Sequence, residues 1–277
     1  MIKTPTEFTK RNEPFFVLGN WKMHLRASES ARIAKGLVST AKRVQGKVTT
    51  VVFPSFPALE KVHTQVKKSA VQLGAQNMSW ELDASDTGEV SAEQIKEFGA
   101  SWVIIGHSER RLKLAESDEM IERKLAAALL RGLQPVLCVG ESALERNQGR
   151  GLLHIMHQVE SAMRYVQPQK DQVITIAYEP IWAISPGKPC EPADADEMTQ
   201  NIRQVLIDRY GVKPAYQHFR ILYGGSVDAN NIASYLRLDE VSGVLVGSAS
   251  LKIPSFRAML VKAAQLRQSL VKKRTHS

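Results

Sequence analysis

Eight short apolar segments punctuate the chain: FFVLGNWK (15–22), KVTTVVFP (47–54), VQLGAQN (71–77), WVIIGH (102–107), QPVLCVG (134–140), VITIAYEP (173–180), FRILYGG (219–225) and GVLVGSA (243–249). They are near-continuous rather than alternating, the pattern of parallel strands covered on both faces. Amphipathic stretches lie between them. In 28–45 the residues Ala34, Leu37, Val38, Ala41 and Val44 keep to one helical face. SAEQ (91–94) forms a capping box before Ile95 and Phe98, with Gly99 closing that helix. Ser55 precedes a helix carrying Pro57, and Gly132 ends the helix over ERKLAAALLR. Pro254 opens a last helix whose Phe256, Met259, Leu260 and Ala263 face inward.

Regular alternation of eight such units predicts an α/β fold: a single-domain (β/α)8 barrel of the TIM-barrel type, eight parallel strands ringed by helices. No GxGxxG follows the first strand, which argues against a doubly wound dinucleotide-binding sheet. The expected organisation is an N-terminal extension over 1–14, the barrel over 15–268 and a basic C-terminal tail over 269–277.

Composition narrows the function without deciding it. The 277 residues are 43% hydrophobic and 23% charged, ordinary values for a soluble globular protein. Lys and Arg exceed Asp and Glu to give a net charge of +9, which favours an anionic partner. The cations come as scattered pairs (Lys42-Arg43, Lys67-Lys68, Arg110-Arg111) plus a short tail, Lys272-Lys273-Arg274, with no interleaved aromatics. That reads as solvated helix surface, and no nucleic-acid partner is expected. The N-terminal MIKTPTEFTKRNEP lacks the apolar core of a secretion signal and no run approaches a membrane span, so no membrane association and a cytoplasmic location are expected. Cys138, in an apolar run, and Cys190, in a Pro-rich loop, are too few for a disulfide framework or a zinc site. They fit a reducing compartment, Cys138 as a core residue.

In such a barrel the C-terminal ends of the strands share one face, where the chemistry is placed. Those ends carry Asn20 and Lys22, Asn77, His107, Glu141, Glu179, then the turns Gly224-Gly225 and Gly247. Glu179 stands out, because IAYEPIWAISPGKPC (176–190) sets it where a buried strand stops, with no neutralising neighbour in the sequence. A buried carboxylate is costly unless it is paired, so this placement calls for a shifted pKa or for a partner brought in by the fold. Glu141 reads as structural. His154 and His157 have helical metal-ligand spacing but no third ligand, so no metal is expected. Gly187-Lys188 only superficially matches a phosphate loop, because Pro189 stands where Ser or Thr is needed.

Through GNWKMH, IGHSERR, AYEPIWAI, YGGSV and GVLVGSASL the chain resembles the triosephosphate isomerase family, from about residue 15 to 268. The resemblance implies interconversion of dihydroxyacetone phosphate and glyceraldehyde 3-phosphate through an enediolate, with no cofactor or metal, in a homodimer acting on a small phosphorylated triose. By resemblance Glu179 is the base, left unpaired for the substrate, His107 the neutral electrophile, and Lys22 with Asn20 the pair that binds substrate and stabilises oxyanion charge. Glu109 is similar to a family carboxylate near that lysine; read on its own, it is an acid favourable to a helix's first turn. Amides of Ser226, Gly247 and Ser248, beside a short helix beginning near Ala249, are expected to make an anion nest for the phosphate. Ser185 is expected to add an amide from a closing loop. That loop, Ser185-Pro186-Gly187-Lys188-Pro189-Cys190, departs from the family's usual Gly-Thr-Gly-Lys, and proline restricts the residue before it. Ser248 stands where a second glycine is usual, and Asp86 where an aromatic is typical of the loop that makes the dimer. Three other functions fit parts of the pattern: an isomerase of another short phosphorylated ketose such as a tetrulose phosphate, a Schiff-base lyase using Lys22, and a non-catalytic phosphate-binding barrel.

Overall fold

The computed structural model describes residues 13–81, 84–183 and 190–272. Within them eight parallel strands close a barrel in chain order. The first units are β1 (Phe15–Asn20), α1 (Ala27–Val44), β2 (Val48–Phe53), a 3-10 turn (Phe56–Ala58), α2 (Leu59–Val66), β3 (Val71–Ala75) and α3 (Ala92–Glu97). Next come β4 (Trp102–Ile105), α4 (Ser108–Leu114), α5 (Asp118–Leu130), β5 (Gln134–Val139), α6 (Ala143–Asn147) and α7 (Gly151–Ala162). The last part holds β6 (Ile174–Tyr178), α8 (Pro192–Tyr210), α9 (Val212–His218), β7 (Phe219–Tyr223), α10 (Ile232–Leu236), β8 (Val241–Val246) and α11 (Ile253–Lys272). The α/β barrel expected from the pattern of apolar runs is what the chain forms, and α11 continues beyond position 268.

Near-continuous apolar strands result in two cores. Leu18, Val51, Phe53, Trp102, Ile104, Val136, Cys138, Ala177, Leu222 and Leu245 fill the barrel interior. Alternate strand positions face outward and join the inner stripes of the helices, such as Ala34, Leu37, Ala41 and Val44 of α1. On β3 the interior position is Gly74, where a Cβ would lie 2.3 Å from the Phe53 ring and 2.8 Å from Trp102 Cβ. Only glycine leaves room there for two large aromatics, so close packing of this layer depends on it. At the end where the strands begin, Arg220 donates to Glu13 through Nε and Nη2, each at 2.5 Å.

Phe98 is 39% exposed. The SAEQ box does form, but Gly99 at φ +78° ends α3 at Glu97, which leaves Phe98 past the buried stripe. The short helix expected near Ala249 is a 3-10 turn over Ser248–Leu251.

Candidate active site

Strand β1 ends at Asn20, and the chain then turns sharply through Lys22, whose backbone is left-handed at φ 50°. Such a conformation costs a non-glycine residue roughly 1–3 kcal/mol and persists only where the surroundings enforce it. Asn20 Oδ1 accepts the Lys22 amide at 3.0 Å, and Gln76 Nε2 donates to the carbonyls of Lys22 (2.6 Å) and Phe53 (2.9 Å). Three strand ends thereby hold one turn. It aims the ammonium across the mouth to Glu109 Oε1 at 3.1 Å.

Opposite, β4 runs through Gly106 (φ +68°) into His107, the N-cap of α4. His107 is 7% exposed, and its Nδ1 accepts the Glu109 amide at 3.2 Å. An accepting Nδ1 places the ring proton of a neutral imidazole on Nε2. That Nε2 lies 3.1 Å from Glu179 Oε1. Burial pushes the Glu109 carboxyl up, but the Lys22 ammonium more than compensates and holds it below the ordinary carboxylate range.

Glu179 is 2% exposed at the end of β6. It is not left unpaired, as the resemblance implied, and the fold supplies its partners: Oε2 accepts the Ser108 amide at 2.9 Å, and Oε1 meets His107. The partner is supplied by the first turn of α4, far away in sequence, and a helix N-terminus favours a negative charge. Two glycines make the slot. A Cβ at Gly140 would fall 1.8 Å from the Glu179 carbonyl oxygen, and one at Gly224 would meet Glu179 Cγ at 3.0 Å.

These groups line one cavity of about 210 Å³ with Ser226, Gly247 and Ser248, and His24 stands at its edge. The cavity is therefore lined by an ammonium, an imidazole and a carboxylate together with the loops after β7 and β8. Beneath Glu179, Cys138 is fully buried, and that burial pushes its thiol well above the ordinary value. Beside it, Glu141 is also fully buried and accepts from Tyr178 Oη (3.0 Å) and Trp182 Nε1 (2.7 Å). Burial raises its carboxyl despite these donors. It anchors Trp182 in the turn just after Glu179 and does not line the cavity.

The sequence model of one family, Triosephosphate isomerase, matches residues 15–263. The triosephosphate isomerase of Carboxydothermus hydrogenoformans is 42% identical over 245 residues, covering 88% of this chain and 97% of that protein. Those of Chloroflexus aurantiacus (41%, 87% and 95% covered) and Borreliella burgdorferi (39%, 88% and 97%) are similar over nearly the same length. The chain belongs to the triosephosphate isomerase family.

Of the positions singled out by resemblance to that family, Asn20, Lys22, His107, Glu179, Ser226, Gly247 and Ser248 share the cavity, and Glu109 reaches it through Lys22 and His107. Ser185 and the rest of its loop through Pro189 lie outside the described residues. His154 meets Gln158 at 2.8 Å and Glu145 at 3.4 Å, while His157 meets Asp118 at 3.5 Å. Among the described residues no group of three or more His, Cys, Asp and Glu could hold a metal ion. Three contributors escaped sequence reasoning: Gln76, the Ser108 amide and Gly140. The QN pair after the third strand and the glycine at the fifth strand's end were visible, but nothing local shows where either points.

Proposed function

We propose that the chain interconverts dihydroxyacetone phosphate and D-glyceraldehyde 3-phosphate by proton transfer through an enediolate. The observation that carries this reading is the convergence of Glu179, His107 and Lys22 on one small cavity that is also lined by the loops after β7 and β8. Glu179 leaves the Ser108 amide and takes a proton from the carbon beside the substrate carbonyl. The bond electrons move into the carbonyl, and its oxygen gains charge in front of the His107 Nε2–H and the Lys22 ammonium. The proton of the neighbouring hydroxyl passes to that oxygen by way of His107 Nε2, and Glu179 returns its own proton to the former carbonyl carbon, which leaves the carbonyl on the other carbon with no net gain or loss of atoms. Asn20 fixes the Lys22 turn. The amides of Ser226, Gly247 and Ser248 hold the phosphate, joined by Ser185.

Turnover of dihydroxyacetone phosphate in a coupled assay, repeated with Glu179→Asp, tests the reading. Shortening the side chain withdraws the carboxylate by about 1 Å and should lower kcat about a hundredfold or more, with the circular dichroism spectrum unchanged. Undiminished turnover by the variant would remove Glu179 from the mechanism.

The same reading places the protein in the cytoplasm as a homodimer. Among the described residues no helix is long and apolar enough to cross a membrane. Met23 is 90% exposed beside the Lys22 turn, and Leu112 and Leu114 are exposed on α4, the helix that turn is tied to through Glu109. A second copy covering these apolar groups is the expected arrangement; sedimentation at the monomer mass would exclude it.

A further inference from the structure

Helices α1 and α11 lie side by side and carry eight Lys and Arg against one acid, Glu29, which is occupied in capping the Arg26 amide. They hold most of the net charge of +9. Elsewhere many cations are paired, as in Arg111 with Asp118 (2.6 Å), Arg123 with Glu81 (3.0 Å) and Arg146 with Asp194 (3.0 Å). Among the described residues no carboxylate lies within ion-pair distance of Arg32, Arg43, Lys47, Lys252, Arg257 or Lys262. These six border the crease between the two helices. Arg32 and Lys252 flank one depression of about 490 Å³, and Arg43, Arg257 and Lys262 flank a second of about 500 Å³. Lys47 bonds across to Gln268 at 3.3 Å, and Arg257 reaches the Gly36 carbonyl at 2.8 Å. The groove between the helices is thus two cationic depressions, parted where Gly36 packs against Ile253 and Arg257 bonds its carbonyl.

We infer that this groove is a docking surface for an extended acidic segment of a partner protein. Arg32 to Arg43 spans about 16 Å along α1, the reach of about five extended residues. Ser39 and Gln265 add neutral donors to the floor, and guanidinium groups match carboxylates in two-point geometry. A nucleic acid is a poorer fit because no aromatic side chain lines either depression for bases to stack on. An anionic bilayer is also poorer, since Val271 is the single large hydrophobic exposed on the two helices and offers no anchor face.

Fluorescence anisotropy with a labelled decaglutamate peptide, at about 20 mM and about 200 mM salt, tests the inference. Arg32→Glu with Arg43→Glu reverses the groove wall, while Lys35→Glu with Lys42→Glu makes the same charge change on α1 away from the groove. Salt-sensitive binding that falls about tenfold or more in the first variant and under about threefold in the second supports the groove. Absence of binding at low salt, or equal losses in both variants, overturns it. Tighter binding of a single-stranded RNA or of phosphatidylglycerol vesicles, lost through the same groove variant, also overturns it by assigning a different occupant. Isomerase turnover of both variants reports that the fold is intact.

Discussion

Lys22 combines the two demands placed on this site, a charge held in the mouth and a backbone turned the wrong way to hold it. Its left-handed φ is enforced from outside by Gln76, whose one amide group bonds two carbonyls from different strand ends. Gln76→Leu should therefore cost about 1–3 kcal/mol in urea unfolding and lower kcat/KM, because the Lys22 carbonyl loses its donor, the Phe53 carbonyl keeps only the Trp21 amide, and the turn relaxes. An unchanged kcat/KM alongside the stability loss would show that Lys22 needs no clamp. Glu179 illustrates a different economy of placement: the acid waits on the Ser108 amide, within reach of His107, so its charge is compensated before any substrate arrives.

At the level of elements, what was legible in the sequence is what is local. The capping box at Ser91 and Gln94 is present as expected, with the Ser91 amide donating at 2.9 Å and the Gln94 amide at 3.3 Å. Strand runs were recognisable because both of their faces are buried, and the order of their polar ends follows from chain order once a barrel closes. The bond between Ser108 and Glu179 and the grip of Gln76 on Lys22 were not legible. They join elements remote in sequence, and residue type does not reveal direction across a barrel mouth. Helix α4 offers a further check, since it ends with Ala115 in the left-handed region at φ 53°, where a Cβ is crowded. Ala115→Gly should raise stability by about 0.5–1 kcal/mol, seen as a higher thermal midpoint. No change would mean that glycine's greater freedom in the unfolded chain offsets the relief.

For the molecule as a whole, a buried network ties the loops above β3 and β4 to α5. Lys124 bonds Asn77 Oδ1 at 2.9 Å and Glu116, which also takes Arg110 Nε at 2.6 Å. Burial pushes the Glu116 carboxyl up, yet the Lys124 and Arg110 donors prevail and hold it below its ordinary value of 4.5. A lowered folded-state value means that this stabilisation is present above the unfolded value and is lost as pH falls through the folded one. Glu116→Gln should cost about 3 kcal/mol at pH 7, because Lys124 stays buried without its counter-charge, and should flatten the loss of stability below about pH 4.5. Urea unfolding at both pH values reads the two effects, and parallel acid limbs would contradict the assignment. The Glu13 and Arg220 pair closes the opposite end of the cylinder, where the strands start. A purification tag or bead linker that replaces residues 1–12 and joins at Glu13 accordingly starts from the floor, and tethered enzyme keeps its working face turned to the liquid.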